Sequence, residues 1–271
     1  MTAWPESIIL AGAGKMGGAM ARGWVEGGLS PASLILIDPH PSEEIQAFAA
    51  ARGVALNPAN PRPPAAIALA IKPQMLDAVS PSITPLVGSR TLILSIIAGK
   101  TIANLQSRLP GARTVVRVMP NTPAAISRGV SAAFANAETT PEQRNWCETL
   151  MRVVGDFHWV EKEDEIDAVT AISGSGPAYV FALTEALAAA GERLGLPADL
   201  AKSLARGTVE GAAELMHREP RATPESLRRN VTSPGGTTAA ALAVLQAPKG
   251  LDDLMARACA AARDRAAELA G

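Results

Sequence analysis

Three glycines early in the chain restrict what it can fold into more than any other feature. Gly12, Gly14 and Gly17 stand in SIILAGAGKMGGAM, directly after an apolar run and before an amphipathic one. A G-x-G-x-x-G pattern alone is weak, but its context here gives it a mechanism. Gly12 permits a tight turn, Gly14 lets the backbone approach a pyrophosphate, and Gly17 allows a helix to pack closely on a sheet. Phosphates would then rest on the free N–H groups at the start of that helix. About 20 residues further on, where such folds place an acid that binds a ribose hydroxyl, a second apolar run ends in Asp38.

The rest of the first half continues the alternation. Short β-branched runs at 7–10, 34–37, 66–71, 91–97 and 114–118 are separated by helix-length or loop segments. That pattern predicts βαβ units and a parallel sheet. From about residue 164 the chain turns helical, with predicted helices at 177–194, 198–217, 224–230, 237–246 and 251–269. The expected architecture is α/β: a Rossmann-type dinucleotide-binding domain over 1–162, followed by an all-α dimerisation and substrate domain over 163–271. The alanine-rich helices can approach one another closely, and a domain of this kind often completes its core with a second subunit.

Composition removes several functional classes. A formal net charge of −1 over 271 residues offers no electrostatic footprint for nucleic acid or an anionic membrane. Cys147 and Cys259 lie in no metal-ligand or redox spacing, so no metal site is expected. The first ten residues lack a signal-peptide pattern, and Glu185 interrupts the longest apolar helical candidate. A cytoplasmic protein without a membrane span is therefore expected. His40, His158 and His217 fall in no motif, which argues against alcohol–carbonyl chemistry that relies on a placed histidine.

Late in the chain, SPGGTT (residues 233–238) joins two helical runs. On residues alone it reads in two ways. It is either an ordinary Ser/Thr N-cap with glycines for the turn, or a turn that aims a helix N-terminus at an anion.

Taken in order, AGAGKMGGAM, AIKPQ, SIIAGKT, RVMPNTPA, SGSGPAYVF and NVTSPGGTTAAAL resemble the pyrroline-5-carboxylate reductase family over nearly the whole chain. The glycine loop is shared with many dehydrogenases. RVMPNTPA with SGSGPAY is more specific, and NVTSPGGTT is the most diagnostic. The resemblance implies reduction of the cyclic imine Δ1-pyrroline-5-carboxylate to L-proline by NADPH or NADH. It also implies a homodimer interlocked through the helical domain, with decamers in several members.

Residue by residue, the resemblance assigns cofactor contacts to Ala11, Gly12, Ala13, Gly14, Lys15 and Met16, to Asp38 on the ribose side, and to Asn57. Ala70, Ile71, Lys72 and Pro73, then Ile96, Ile97 and Ala98, complete that set. Substrate contacts are implied at Glu163, Asn230, Ser233, Gly236, Thr237 and Thr238, with Thr238 as the partner of the ring nitrogen. This sequence departs from the family at two places. Many members carry a small hydroxyl residue at the Asp38 position, which suits NADPH; the aspartate leans toward NADH. The match at Asn57 is looser, because NPANPRPP is rich in proline.

Imine reduction asks little of a protein. A protonated ring nitrogen makes an iminium, already a good hydride acceptor. The site must anchor the carboxylate, hydrogen-bond the nitrogen and hold the ring in place. A hydroxyl both donates and accepts, so Thr238 can serve imine and amine alike. Two other readings stay open on sequence: a β-hydroxyacid-type dehydrogenase, for which Lys202 would be the lysine but lacks the motif, and a nicotinamide sensor without turnover.

Overall fold

The computed structural model describes residues 4–270. The first three residues, part of the segment read for a leader, and Gly271 lie outside the described residues. Eight strands form one sheet: β1 (Ile8–Ala11), β2 (Leu34–Ile37), β3 (Ala55–Leu56), β4 (Ala66–Leu69), β5 (Leu92–Ser95), β6 (Thr114–Met119), β7 (Gly129–Ala135) and β8 (Gly155–Trp159). Their spatial order is β3-β2-β1-β4-β5-β6-β7-β8. All neighbours are parallel except β6 and β7. The first six strands thus follow the doubly wound order, and the direction of winding reverses between β1 and β4, the position at which such sheets bind ligands.

Helices α1 (Lys15–Glu26), α2 (Glu43–Arg52), α3 (Leu76–Ile83), α4 (Ile102–Arg108) and α5 (Pro141–Arg152) connect the strands. Ile8 and Leu10 of β1 pack into one apolar cluster with Met20 and Trp24 of α1, Ile45 of α2 and Leu150 of α5. Ile9 and Ala11 pack into another with Leu76 and Ile83 of α3 and Leu105 of α4. The sheet is therefore covered on both faces, which is why its central strands read as continuous apolar runs rather than alternating ones. Trp24 is fully buried and its indole Nε1 donates to the Leu150 carbonyl at 2.8 Å, tying α1 to α5.

All five strands expected from the sequence form. Two end earlier than expected: β4 stops at Leu69 and β5 at Ser95, so 70–71 and 96–97 belong to turns. Strands β3 and β7 were not anticipated, and β8 shows in the sequence only as the strand-like run FHWV around His158. The first has only two residues, and the other two begin at glycines.

The remaining helices are α6 (Glu165–Val169), α7 (Gly176–Arg193), α8 (Ala198–Arg218), α9 (Pro224–Asn230), α10 (Thr237–Leu245) and α11 (Leu251–Ala270). A π-helical turn, Thr170–Gly174, joins α6 to α7, so the helix runs from Glu165 to Arg193. Its best 18-residue window has a mean hydropathy of 1.2, which corrects the expectation that no apolar helix here is long enough to cross a membrane. By length and composition this one is. The expectation had weighted Glu185 alone, although a single acid in a long helix does not lower such an average far.

The chain divides into two compact units, Met1–Ser175 with Ala262–Gly271, and Gly176–Ala261. In the second, α7 and α8 run against each other, and a Cβ added at Gly191 would lie 3.1 Å from the Ala201 Cβ. The end of α11 belongs to the first unit.

Candidate active site

The glycine loop leaves β1 at its carboxyl end and enters α1. Gly12 has φ +92°, and a Cβ there would lie 2.5 Å from the Ala70 carbonyl oxygen. At Gly17 a Cβ would meet the Gly12 oxygen at 2.0 Å. Both positions are closed to any side chain by neighbouring backbone. Gly14 differs: nothing lies within 4 Å of the Cβ position, and it is the N-cap of α1 with no side chain capping it. Open space beside Gly14, at uncapped N–H groups on a helix N-terminus, is the cradle that a pyrophosphate requires. The residues present therefore fit a nicotinamide dinucleotide.

Asp38 follows β2 and faces this loop. Its Oδ2 accepts from the Ala13 N–H at 2.7 Å, and its Oδ1 accepts from the His40 N–H at 2.8 Å. Asn57 holds the Asp38 backbone from both sides: Asp38 N–H donates to Asn57 Oδ1 at 2.9 Å, and Asn57 Nδ2 donates to the Asp38 carbonyl at 2.7 Å. Asn57 adopts φ +49° to do so, a region asparagine tolerates better than most residues. Its side-chain amide thus pairs with a peptide unit, as a neighbouring strand would.

Ala70, Ile71, Lys72 and Pro73 form the turn after β4, adjoining the loop through Gly12. Lys72 is exposed there, and among the described residues no acid lies within ion-pair range of it. Ile96, Ile97 and Ala98 form the turn after β5, and Gly99 (φ +69°) packs against Leu269 near the end of α11. The carboxyl ends of β1, β2, β4 and β5 thus bring the expected cofactor residues to one edge of the sheet.

Several residues with structural consequences carried no assigned role in the sequence. Arg117 lies on β6 with its side chain only 5% exposed, 2.9 Å from Glu163 Oε1 and 3.8 Å from Asp167 Oδ1. The same Glu163 oxygen accepts from the Ile102 N–H at 2.7 Å. The available signal was an arginine inside the apolar strand TVVRVM, since a buried charge requires a partner. Asn121 is buried, accepts from the Val130 N–H at 2.8 Å, and donates from Nδ2 to the Ser173 carbonyl at 3.1 Å. That carbonyl is free because Pro177, four residues on, has no N–H to offer it. MPNTP and SGSGP are thus joined by a hydrogen bond that the proline makes possible.

In the second unit, SPGGTT turns through Gly235 at φ +71° and enters α10. The N-cap is Gly236, and no side chain caps the helix. Thr237 and Thr238 are its first two helical residues, so neither is the N-cap. The ordinary Ser/Thr cap that the sequence left open is not formed. A Cβ at Gly236 would lie 2.5 Å from Ser233 Oγ, so a side chain there would have to turn that hydroxyl away. Asn230 ends α9, and Ser233 is exposed.

The histidines are as expected from their lack of motifs. His40 and His158 are exposed, on the turn after β2 and on β8. Cys147 is fully buried, and burial, reinforced by Glu148 and opposed by Arg144, pushes its thiol far above the usual range. It is inert packing.

A doubly wound sheet with an open glycine cradle, followed by a helical unit, defines a dinucleotide-binding protein with a second, helical domain. Similarity to known proteins makes this specific. A family model described as pyrroline-5-carboxylate reductase dimerisation matches residues 163–269, and one described as NADP oxidoreductase, coenzyme F420-dependent, matches residues 7–99. Pyrroline-5-carboxylate reductase of Pseudomonas aeruginosa is 40% identical over 97% of this chain and 96% of its own. The structure of a pyrroline-5-carboxylate reductase from Coxiella burnetii is 34% identical, covers 98% of this chain and 99% of its own, and superposes with a TM-score of 0.88. The Plasmodium falciparum pyrroline carboxylate reductase, solved with NADP bound, is 27% identical over 98% of each chain, with a TM-score of 0.79. The chain belongs to the pyrroline-5-carboxylate reductase family. It is an NAD(P)H-dependent oxidoreductase that reduces the C=N bond of Δ1-pyrroline-5-carboxylate to give L-proline, the final step of proline biosynthesis.

Proposed function

We propose that SPGGTT is the substrate anchor of this reductase and that Thr238 is its catalytic hydroxyl. The observation that carries this reading is the start of α10. A glycine occupies the cap position, no side chain covers the helix N-terminus, and Thr237 and Thr238 are its first two residues. Uncapped N–H groups at the positive end of a nine-residue helix suit a carboxylate. Asn230, Ser233, Gly236 and Thr237 complete the anchor. Thr238 hydrogen-bonds the ring nitrogen, accepting from the protonated imine and remaining a partner once it is an amine. Bound NAD(P)H supplies the hydride; the protein holds the ring and the charge in place.

For the cofactor we propose contacts at residues 11–16, Asp38, Asn57, 70–73 and 96–98, with NADH preferred to NADPH. The Asp38 carboxylate, held against the loop by the Ala13 N–H, supports that preference. The residues at 163–271, which include the matched dimerisation segment, act as the dimerisation and substrate domain, with 1–162 as the nucleotide domain. We propose a homodimer that can assemble further, to a decamer. The apolar side chains that α7 exposes, among them Val180, Phe181 and Leu183, lie inside the matched dimerisation segment, which supports a protein partner for the long helix. With both cysteines free, we place the protein in the cytoplasm.

The deciding experiment is Thr238→Ala. We expect kcat/KM for the imine to fall by about 100- to 10,000-fold, the range of a lost general acid–base partner. Cofactor affinity and melting temperature should stay as in the parent. Parallel loss of stability and activity would return Thr238 to a structural role.

A further inference from the structure

Glu163, implied as a substrate contact, uses its Oε1 inside the first unit. That oxygen accepts from Arg117 Nη1 and from the Ile102 N–H. Ile102 is the first residue of α4, so its N–H has no partner within the helix. Thr101 caps the same helix, accepting from the Asn104 N–H, while the Asn104 side chain returns the bond to the Thr101 N–H. The segment immediately before, residues 96–100, is the turn that leaves β5. Its far side is packed by Leu269 against Gly99. Beside the capping box, the end of the turn is tied to one carboxylate, and that carboxylate is held in turn by an arginine buried in the sheet.

We infer that Glu163, held by Arg117, is a positioning residue for the cofactor turn at 96–101. This rests on the proposed contact between residues 96–98 and the cofactor. The arrangement places a negative group at the N-terminus of α4, where it also opposes the helix dipole favourably. Arg117 cannot be left alone. Without Glu163, the remaining acid in range is Asp167, at 3.8 Å from Nη2, too long for a good hydrogen bond. Loss of Glu163 therefore frees the start of α4 and leaves a buried cation poorly paired, and the turn before α4 loses its fixed geometry.

The test compares Glu163→Ala and Glu163→Gln with the parent enzyme. Dissociation constants for NADH and NADPH are measured by fluorescence without substrate, alongside KM for the imine and the melting temperature. Positioning predicts that Glu163→Ala weakens cofactor binding about tenfold, the order expected for one lost charged hydrogen bond. Glu163→Gln should recover most of that loss, because the amide oxygen still accepts from the Ile102 N–H. Unchanged cofactor affinity overturns the inference in either of two forms: a raised imine KM makes Glu163 a direct substrate contact, and a lowered melting temperature alone makes it purely structural. Ala98→Val separates the inference from the reading beneath it. If added bulk at residue 98 also leaves cofactor affinity intact, the turn is not a cofactor contact at all. If Ala98→Val weakens binding and Glu163→Ala does not, only the positioning role fails.

Discussion

The two compact units solve the same problem, burying apolar surface, in opposite ways. In the first, a parallel sheet is enclosed between helices, and Trp24, Met20, Leu10 and Leu36 are fully buried. In the second, among the described residues, the buried hydrophobic positions are Ala188, Ala201 and Ala205. Val180, Phe181, Leu183, Leu187, Leu200 and Leu204 stand exposed there. Exposed apolar surface on that scale marks an interaction site rather than a finished domain. The first unit encloses a core of its own; the second leaves its apolar helix faces open.

The largest expected effect follows from that contrast. Phe181→Asp with Leu204→Asp places two charges on the apolar faces of α7 and α8. We expect a monomer by sedimentation and a fall in kcat/KM of over about 100-fold, since an obligate interface of this kind has no stable folded half. All four tryptophans, Trp4, Trp24, Trp146 and Trp159, lie in the first unit. Their fluorescence should therefore keep its native emission while far-UV circular dichroism loses helix. A fully active monomer would show that the second unit is self-sufficient.

Within the first unit, two glycines three residues apart should behave differently. Gly17→Ala drives a methyl into the Gly12 carbonyl, at 2.0 Å before relaxation. We expect a loss of about 2–3 kcal/mol, as for other overpacked positions, read by urea denaturation. Gly14→Ala meets nothing within 4 Å. Stability should be nearly unchanged, and the loss should appear as a weaker cofactor dissociation constant. Equal effects on stability would remove Gly14 from the cradle.

Much of this was legible in the sequence, for reasons that can be named. The glycine loop was readable because each glycine answers a local demand: a left-handed φ at Gly12, a backbone contact at Gly17, open space at Gly14. The parallel sheet followed, since apolar runs alternating with helices allow few windings; its strand order and switch point came from the structure. The helices of the second half showed in their alanine content and in the breaks at Gly195 and Pro197. Long-range pairing was not legible. Nothing local says that Arg117 reaches Glu163 across 46 residues, or that Asn121 reaches the carbonyl freed by Pro177. SPGGTT lay between these cases. Its turn was plain, but only the structure shows that glycine, not threonine, takes the cap position. The proposal that its anion is an imino acid rests on the family match.

Cofactor choice is the smallest effect, and like the glycine pair it stays inside the first unit. The Asp38 carboxylate is oriented by two backbone N–H groups, from Ala13 and His40. Its backbone is clamped by Asn57. If the ribose lies at Asp38, as proposed, a fixed negative charge there would accept from its hydroxyls and repel a 2′-phosphate. Asp38→Ser removes the charge and leaves a hydroxyl that can still accept from the Ala13 N–H, so the loop should keep its shape. We expect the ratio of kcat/KM for NADPH to that for NADH to rise about tenfold, equivalent to about 1.4 kcal/mol, because solvent screens much of the bare repulsion. The same physics gives a second readout without mutation. If Asp38 sets the proposed NADH preference, raising ionic strength should narrow the NADH-to-NADPH ratio of the parent enzyme and barely move that of the serine variant. A ratio that responds to neither change would place the ribose away from Asp38 and leave its carboxylate as a brace for the glycine loop.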